Sequence, residues 1–134
     1  MFHFEDVPVL DLQQEIIVPW INTVIDKHQG QLGELTYIFC SDEYLHQINV
    51  EYLDHDTLTD IITFPYSPSP CVHGDLYIST ERIKDNAQER DLPFSEELHR
   101  VMIHGVLHLL GYGDKSSTEA QRMRQLEQEA LELL

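Results

Sequence analysis

The sequence predicts an α+β fold, with about four strands and about five helices in a single domain over residues 1–134. Three observations carry this prediction. Short runs rich in β-branched and aromatic residues (FHFED, ELTYIFC, DIITFPY and GDLYIS) recur through the first eighty residues, as strands require. Longer stretches with apolar residues at helical spacing lie between and after them. A chain of 134 residues is also long enough to bury one core without disulfide or metal staples.

In chain order, FHFED reads as a short first strand. Residues 11–29 mix apolar and polar groups at helical spacing; Pro19 interrupts the run, so the helix is placed from near Pro19 to just before Gly30. Residues 34–40 form a buried strand, after which Ser41 or Asp42 caps a helix running to about Tyr52. A third strand spans 60–66 and stops at the SPSP turn, and the alternation of 74–79 makes a fourth. Ser79 or Thr80 caps a helix to about Arg90. The next helix starts from a Ser95 cap, carries Glu96 and Glu97 in its first turn where they suit the helix dipole, and ends at Leu110 before Gly111. The last helix covers 117–133, beginning at Ser117 or Thr118.

Charge narrows the function classes. The net charge is −16, unevenly spread: residues 1–81 hold one basic residue (Lys27) against 14 acidic ones, and residues 82–134 hold seven against ten. Such a surface opposes non-specific binding to nucleic acid, so an RNA role requires a local patch or a partner protein. No run approaches the ~20 apolar residues of a membrane span, and the start, MFHFEDVPVLDL, lacks a signal-peptide pattern, so a cytoplasmic protein is expected. Cys40 and Cys71 form neither a disulfide framework nor a CxxC motif.

The chemistry concentrates in HGVLHLLGYGD, residues 104–114. A helix sets residues four apart on one face, so His104 and His108 can meet on a single ion. Gly111 lets the chain leave the helix with positive φ, and the bend can return Asp114 toward the histidines. Two histidines and a carboxylate leave a fourth zinc position open, the arrangement of a catalytic rather than a structural site. The ordinary alternative is a core helix that contains histidines, followed by an aspartate that makes a turn. Gly105 within the helix suggests close packing against another backbone. It also occupies the place where HExxH proteases carry their glutamate base, which weakens a protease reading.

These residues resemble the YbeY family, bacterial metal-dependent endoribonucleases linked to rRNA maturation. The family pattern HGxLHLxGYDH is similar to HGVLHLLGYGD at His104, Gly105, Leu107, His108, Leu109, Gly111 and Tyr112. INVEYLDHDTLTDIITFPY (48–66) resembles the family's LNxxYRxxDxPTDVLSFP, and GDLYIS its GDIxIS strand. The resemblance implies a small mixed sheet with surrounding helices, and a cleft holding one zinc ion per chain near the end of the 95–110 helix. It further implies cleavage of single-stranded rRNA, in particular the 3′ end of the small-subunit rRNA. Partners would be the small ribosomal subunit, with recruitment by a ribosomal protein or an assembly GTPase.

Two departures from the pattern matter. The family's third histidine ligand falls on Asp114, which lowers the charge of the site and also suits another divalent metal such as iron(II). The family's arginine after the tyrosine falls on Leu53, removing a natural phosphate contact. Arg100, one turn before His104, and Lys115, beside Asp114, are the cations placed to substitute. Thr59, Asp60 and His73 are the candidate polar groups of the cleft, with Arg100, Asp60 and Thr59 the expected catalytic residues. Arg122 and Arg124 read as a solvated helix face, and Cys71 as a small loop or buried thiol. Two other functions compete: a small zinc metalloprotease, and a non-catalytic ribosome-assembly factor whose metal holds the fold. Leu53 and the acidic balance favour the latter.

Overall fold

The computed structural model describes residues 1–53 and 59–134. Residues 54–58, the DHDTL part of the upstream motif, lie outside the described residues. Four strands form one mixed sheet: β1 (Phe2–Phe4), β2 (Gln31–Cys40), β3 (Ile61–Pro65) and β4 (Cys71–Ser79), in spatial order β1-β2-β4-β3. β1 and β2 pair in parallel, as do β2 and β4, while β3 runs antiparallel to β4 at the edge. Five helices accompany them: α1 (Gln14–Lys27), α2 (Asp42–Leu53), α3 (Thr80–Glu89), α4 (Phe94–Leu109) and α5 (Ser117–Glu132).

The two faces of the sheet divide the helices. Tyr37 and Phe39 of β2, with Leu76 and Ile78 of β4, join the larger core built from α1, α3, α4 and α5. The alternate residues Cys40 and Ile62 face the other way and pack with Leu45 and Ile48 of α2. This is the period-two alternation of a strand buried on both sides. Helix α4 is the central helix: Val101, Met102, Ile103, Val106 and Leu107 are all buried. The Tyr37 hydroxyl donates to the Met102 carbonyl at 2.9 Å, fastening β2 to α4, and the Trp20 indole donates to the Ala130 carbonyl at 2.8 Å, fastening α1 to α5.

Several boundaries differ from the sequence reading, each for a local reason. Helix α1 starts at Gln14 and carries Pro19 inside it. The proline leaves the Glu15 carbonyl without its intrahelical donor, but both residues are exposed and water serves instead, while Ile17, Trp20, Ile21, Val24 and Ile25 anchor the buried face. Strands β2 and β4 each begin three residues early, pairing Gln31 with Cys71; exposed side chains at 31–34 give β2 no alternation to read, while β4 keeps its alternation through the buried Val72. Helix α4 begins at Phe94 behind Pro93, whose fixed φ of −60° starts the turn without a side-chain cap, so Ser95 is not the cap. Helix α5 begins at Ser117 as read from the sequence, with Ser116 capping it in a capping box with Glu119. Ser79 caps α3 as anticipated, accepting from the Arg82 amide at 3.0 Å, and Ser41 accepts from the Tyr44 amide at 3.1 Å at the head of α2.

Gly105 sets the approach of α4 to the sheet. A Cβ there would stand 2.8 Å from Leu76 Cδ1 and 2.9 Å from Ile61 Cδ1, so the close neighbours are side chains of β4 and β3 rather than another backbone. A β-branched side chain overfills this contact. Gly105→Val is therefore expected to destabilise the protein by about 1–3 kcal/mol, read as a lower urea midpoint at unchanged slope; an unaltered midpoint would show that the helix–sheet contact is loose.

Candidate metal centre

Helix α4 ends in a backbone motif that folds the chain back on itself. Gly111 takes φ of +110°, its amide donates to the His108 carbonyl at 3.0 Å, and the Tyr112 amide donates to the Leu107 carbonyl at 3.1 Å. That is a Schellman ending, which needs a residue tolerant of positive φ and an apolar side chain just beyond it. Tyr112 supplies the latter by packing on the core, and its hydroxyl meets His28 Nδ1 at 3.0 Å, tying the turn to the end of α1. The reversal delivers Asp114 to the open side of the histidines.

There Asp114 Oδ2 lies 3.5 Å from His104 Nε2 and 3.4 Å from His108 Nε2, and one ligand atom from each of the three residues falls within 4.8 Å of the others. Bonds of about 2.0–2.1 Å at a tetrahedral zinc ion put neighbouring ligand atoms about 3.3 Å apart. The spacing fits a divalent ion, with Asp114 the shared partner of both rings. The imidazoles stand nearly perpendicular, at 82° with centroids 4.5 Å apart, so their nitrogens converge instead of stacking.

Behind His104 lies a group of residues that sequence reasoning missed. Glu127 of α5, 3% exposed, takes His104 Nδ1 at 2.5 Å on one oxygen and Arg100 Nη1 at 3.1 Å on the other. Burial alone raises the Glu127 carboxyl, but the hydrogen bond and charge of His104, with those of Arg100, outweigh it and hold the group below its ordinary value. An ionised carboxylate can only accept, so Nδ1 carries a proton whether or not the ring is charged, and in the neutral ring Nε2 presents its lone pair toward Asp114. Metal-ligating histidines are commonly fixed in this way. The signal was present in the sequence: Met123, Leu126, Glu127 and Ala130 form the buried face of α5, and an acid on a core face needs a partner.

Arg100 is held by carboxylates. Its Nε and Nη2 reach both oxygens of the fully buried Glu97 at 2.8 and 2.6 Å, and Nη2 stands 3.9 Å from Asp60. The Glu97 hydrogen bond leads the upward shift of the Arg100 pKa, so the guanidinium stays charged. Burial raises the Asp60 carboxyl above 3.8; the Arg100 and His104 charges oppose the rise, and Glu97 adds to it. The Asn86 amide donates to Asp60 Oδ2 at 3.3 Å, and the Thr59 hydroxyl donates to the Ile61 carbonyl at 3.2 Å.

A cleft of about 570 Å³ opens beside the three ligands, lined by Thr59, Asp60, Asn49 and Leu53 as well as by His104, His108 and Asp114. Asn49, from the upstream motif, was not singled out from the sequence. His73 is absent from the described lining, contrary to expectation. The alternation of β4 turns it to the face of the sheet away from α4, with Nδ1 at 2.9 Å from the Ser67 hydroxyl and its ring edge-on to Tyr66. Cys71, at the start of the same strand, is likewise absent from that lining.

The family model for endoribonuclease YbeY matches residues 5–134. The chain belongs to the YbeY family. A Flavobacterium johnsoniae protein named endoribonuclease YbeY is 48% identical over 97% of this chain and 93% of its own length. The Flavobacterium psychrophilum protein of the same name is 53% identical over 87% of this chain and 83% of its own. The solution structure of a Thermotoga maritima protein superposes with a TM-score of 0.72 at 25% identity, covering 99% of this chain and 88% of that one. The YbeY fold and the convergence of His104, His108 and Asp114 thus agree with what the motif resemblance implied.

Two outcomes follow from the site's electrostatics. Glu127→Gln keeps the shape but removes the negative charge and one of the two oxygens that accept from His104 and Arg100, and is expected to weaken zinc binding about 10–100-fold in a competition titration with a chromogenic chelator. Equal affinity would leave Glu127 with a purely structural role. Asp60 ionises against its burial, so the folded state binds its proton more tightly than the unfolded state, and its stability falls as pH rises from 3.8 through the raised folded value. In chelator-treated protein, Asp60→Asn is expected to raise the melting temperature at pH 7, with the gain shrinking as pH falls toward 3.8. A lowered melting temperature at pH 7 would mean that the Arg100 contact outweighs desolvation.

Proposed function

We propose that this chain is a zinc-dependent endoribonuclease of the cytoplasm that acts in rRNA maturation, cutting single-stranded RNA near the 3′ end of the small-subunit rRNA. The observation that carries the reading is the convergence of His104, His108 and Asp114 at ligand spacing, in a chain whose relatives bear the name endoribonuclease YbeY. A divalent ion held there supplies Lewis acidity, polarising a phosphoryl oxygen and easing deprotonation of a water or 2′-hydroxyl. The open side of the three ligands is the cleft, so a phosphodiester reaches them from the wall that carries Thr59 and Asp60. In this scheme Arg100 acts through Glu127 as a positioning residue for His104, while Asp60 and Thr59 border the reacting phosphate.

The donor set suits zinc, and two histidines with a carboxylate suit iron(II) as well. Among the described residues no helix is long and apolar enough to cross a membrane. Recruitment to the small ribosomal subunit by a ribosomal protein or an assembly GTPase would bring so acidic a chain onto RNA.

The protease alternative loses ground because Gly105 packs on Leu76 and Ile61 where a glutamate base would stand, and Glu127 is committed to His104 and Arg100. A structural metal in a non-catalytic assembly factor is favoured by Leu53, which lines the cleft without offering a cation. Plasma mass spectrometry on protein purified without chelators separates these readings. About one equivalent of metal is expected in the wild type, lost or weakened in Asp114→Ala, with cleavage of an rRNA 3′-end fragment abolished in a folded His108→Ala protein. Folded, metal-loaded wild type that leaves the fragment intact would hand the case to the assembly factor.

A further inference from the structure

We propose that the groove between α4 and α5, with Arg90 and Arg124 on its walls, is the track that holds the RNA backbone as it enters the metal centre. The inference rests on the endoribonuclease reading and names how that site engages its substrate. The groove, about 340 Å³, is lined by Arg90, Arg100 and Arg124 on its outer side and by His104 and Asp114 at its inner end. His104 and Asp114 also line the cleft described above, so the two hollows meet at the metal ligands. The described lining of that cleft includes no lysine or arginine.

The clustering runs against the grain of the chain. Of eight basic residues in a protein of net charge −16, three line this one groove, against two acids, Asp114 and Glu127. Arg100 is spent on Glu97 and Glu127, which leaves two guanidinium groups for a ligand. Arg90 is half exposed and touches Glu97 only at 3.5 Å, and Glu97 already has Arg100 at 2.6 Å. Arg124 is exposed and makes no ion pair among the described residues. The neighbours of Arg124 four residues either way along α5 are Ala120 and Gln128, and Glu127, three residues on, is turned to the core and taken by His104 and Arg100. A free guanidinium in a groove that ends at metal ligands matches the forked geometry of a phosphate. The arrangement also answers the loss of a cation at Leu53: the positive charge lies in the groove that shares His104 and Asp114 with the cleft.

The test is binding of a fluorescent 2′-O-methyl single-stranded oligonucleotide, which cannot use its 2′-hydroxyl, to zinc-loaded protein across a salt series, beside steady-state cleavage of ordinary RNA. Arg124→Gln removes no contact of the fold and is expected to lower the slope of log affinity against log salt by about 0.7; the double variant with Arg90→Gln is expected to lower it by about 1.4 and to weaken binding about tenfold. KM should rise while kcat holds. Arg122→Gln, beside His28 on another face of α5, should change neither binding nor slope. Wild-type affinity and slope in the double variant, in a preparation whose wild type still cleaves, would overturn the groove and leave the nuclease reading intact. Equal affinity of the groove for a polyglutamate peptide would also overturn it, marking a protein-binding surface. Folded, zinc-loaded wild type that neither binds nor cleaves RNA would remove the nuclease reading and this inference with it.

Discussion

The ion cluster in which Arg100 joins Glu97 of its own helix to Glu127 of α5 is the constraint on which the site depends. Glu97 is fully buried and Glu127 nearly so, and two carboxylates in such surroundings repel each other and resist ionisation. One guanidinium with five donors serves both, two on Glu97 and one on Glu127. Breaking a buried pair from one side costs about 3–5 kcal/mol because the remaining charge is stranded. The cluster thereby fixes the register of α5 against α4, and α5 carries the acceptor that orients His104. Stability and ligand geometry are coupled through a single arginine.

How far the sequence exposed the site follows from the range of each interaction. His104, His108, Gly111 and Asp114 lie within eleven residues, and their relation is set by one helix and its ending, so spacing alone brought them together. Glu127 is 23 residues from His104, and their meeting depends on how two helices pack, which no local pattern encodes. What the chain did show was an acid on the buried face of α5, a mark of something unpaired without a statement of its partner. His73 misled for the complementary reason. Its Gly-Asp neighbourhood belongs to a family motif, but the alternation of β4 puts His73 on the face with Tyr77, away from α4's ligands.

The fold boundaries divide in the same way. Strands with buried alternation, as in 74–79, announced themselves, while the exposed start of β2 did not, because pairing there is a backbone matter. Pro19 marks the limit of a local rule. The cost of a proline in a helix comes mainly from a lost hydrogen bond, and at an exposed position the five buried side chains of α1 outweigh it. The start of α5 at Ser117 was legible, while the choice of Ser116 as its cap among three consecutive polar residues depends on the reach of Glu119 back to the Ser116 amide.

Charge binds the departures of this chain from the family pattern into one argument. A carboxylate at 114 in place of an imidazole makes the ligand set one unit more negative, and leucine at 53 removes a second positive charge from the cleft side. A phosphodiester approaching from that side meets ligands and a nearby Asp60 with no described cation to balance them beyond the ion itself. The strand flanking the reacting phosphate therefore gains most by running along the groove where positive charge remains. Arg100 cannot supply it, since its donors are taken by the carboxylates that build the site. Arg90 and Arg124 stand clear of that cluster, on the groove that shares His104 and Asp114 with the cleft. The cation lost at Leu53 and the two free arginines fall in different hollows that share the same ligands, which is what a site that has moved its phosphate contact from the cleft to the groove would require.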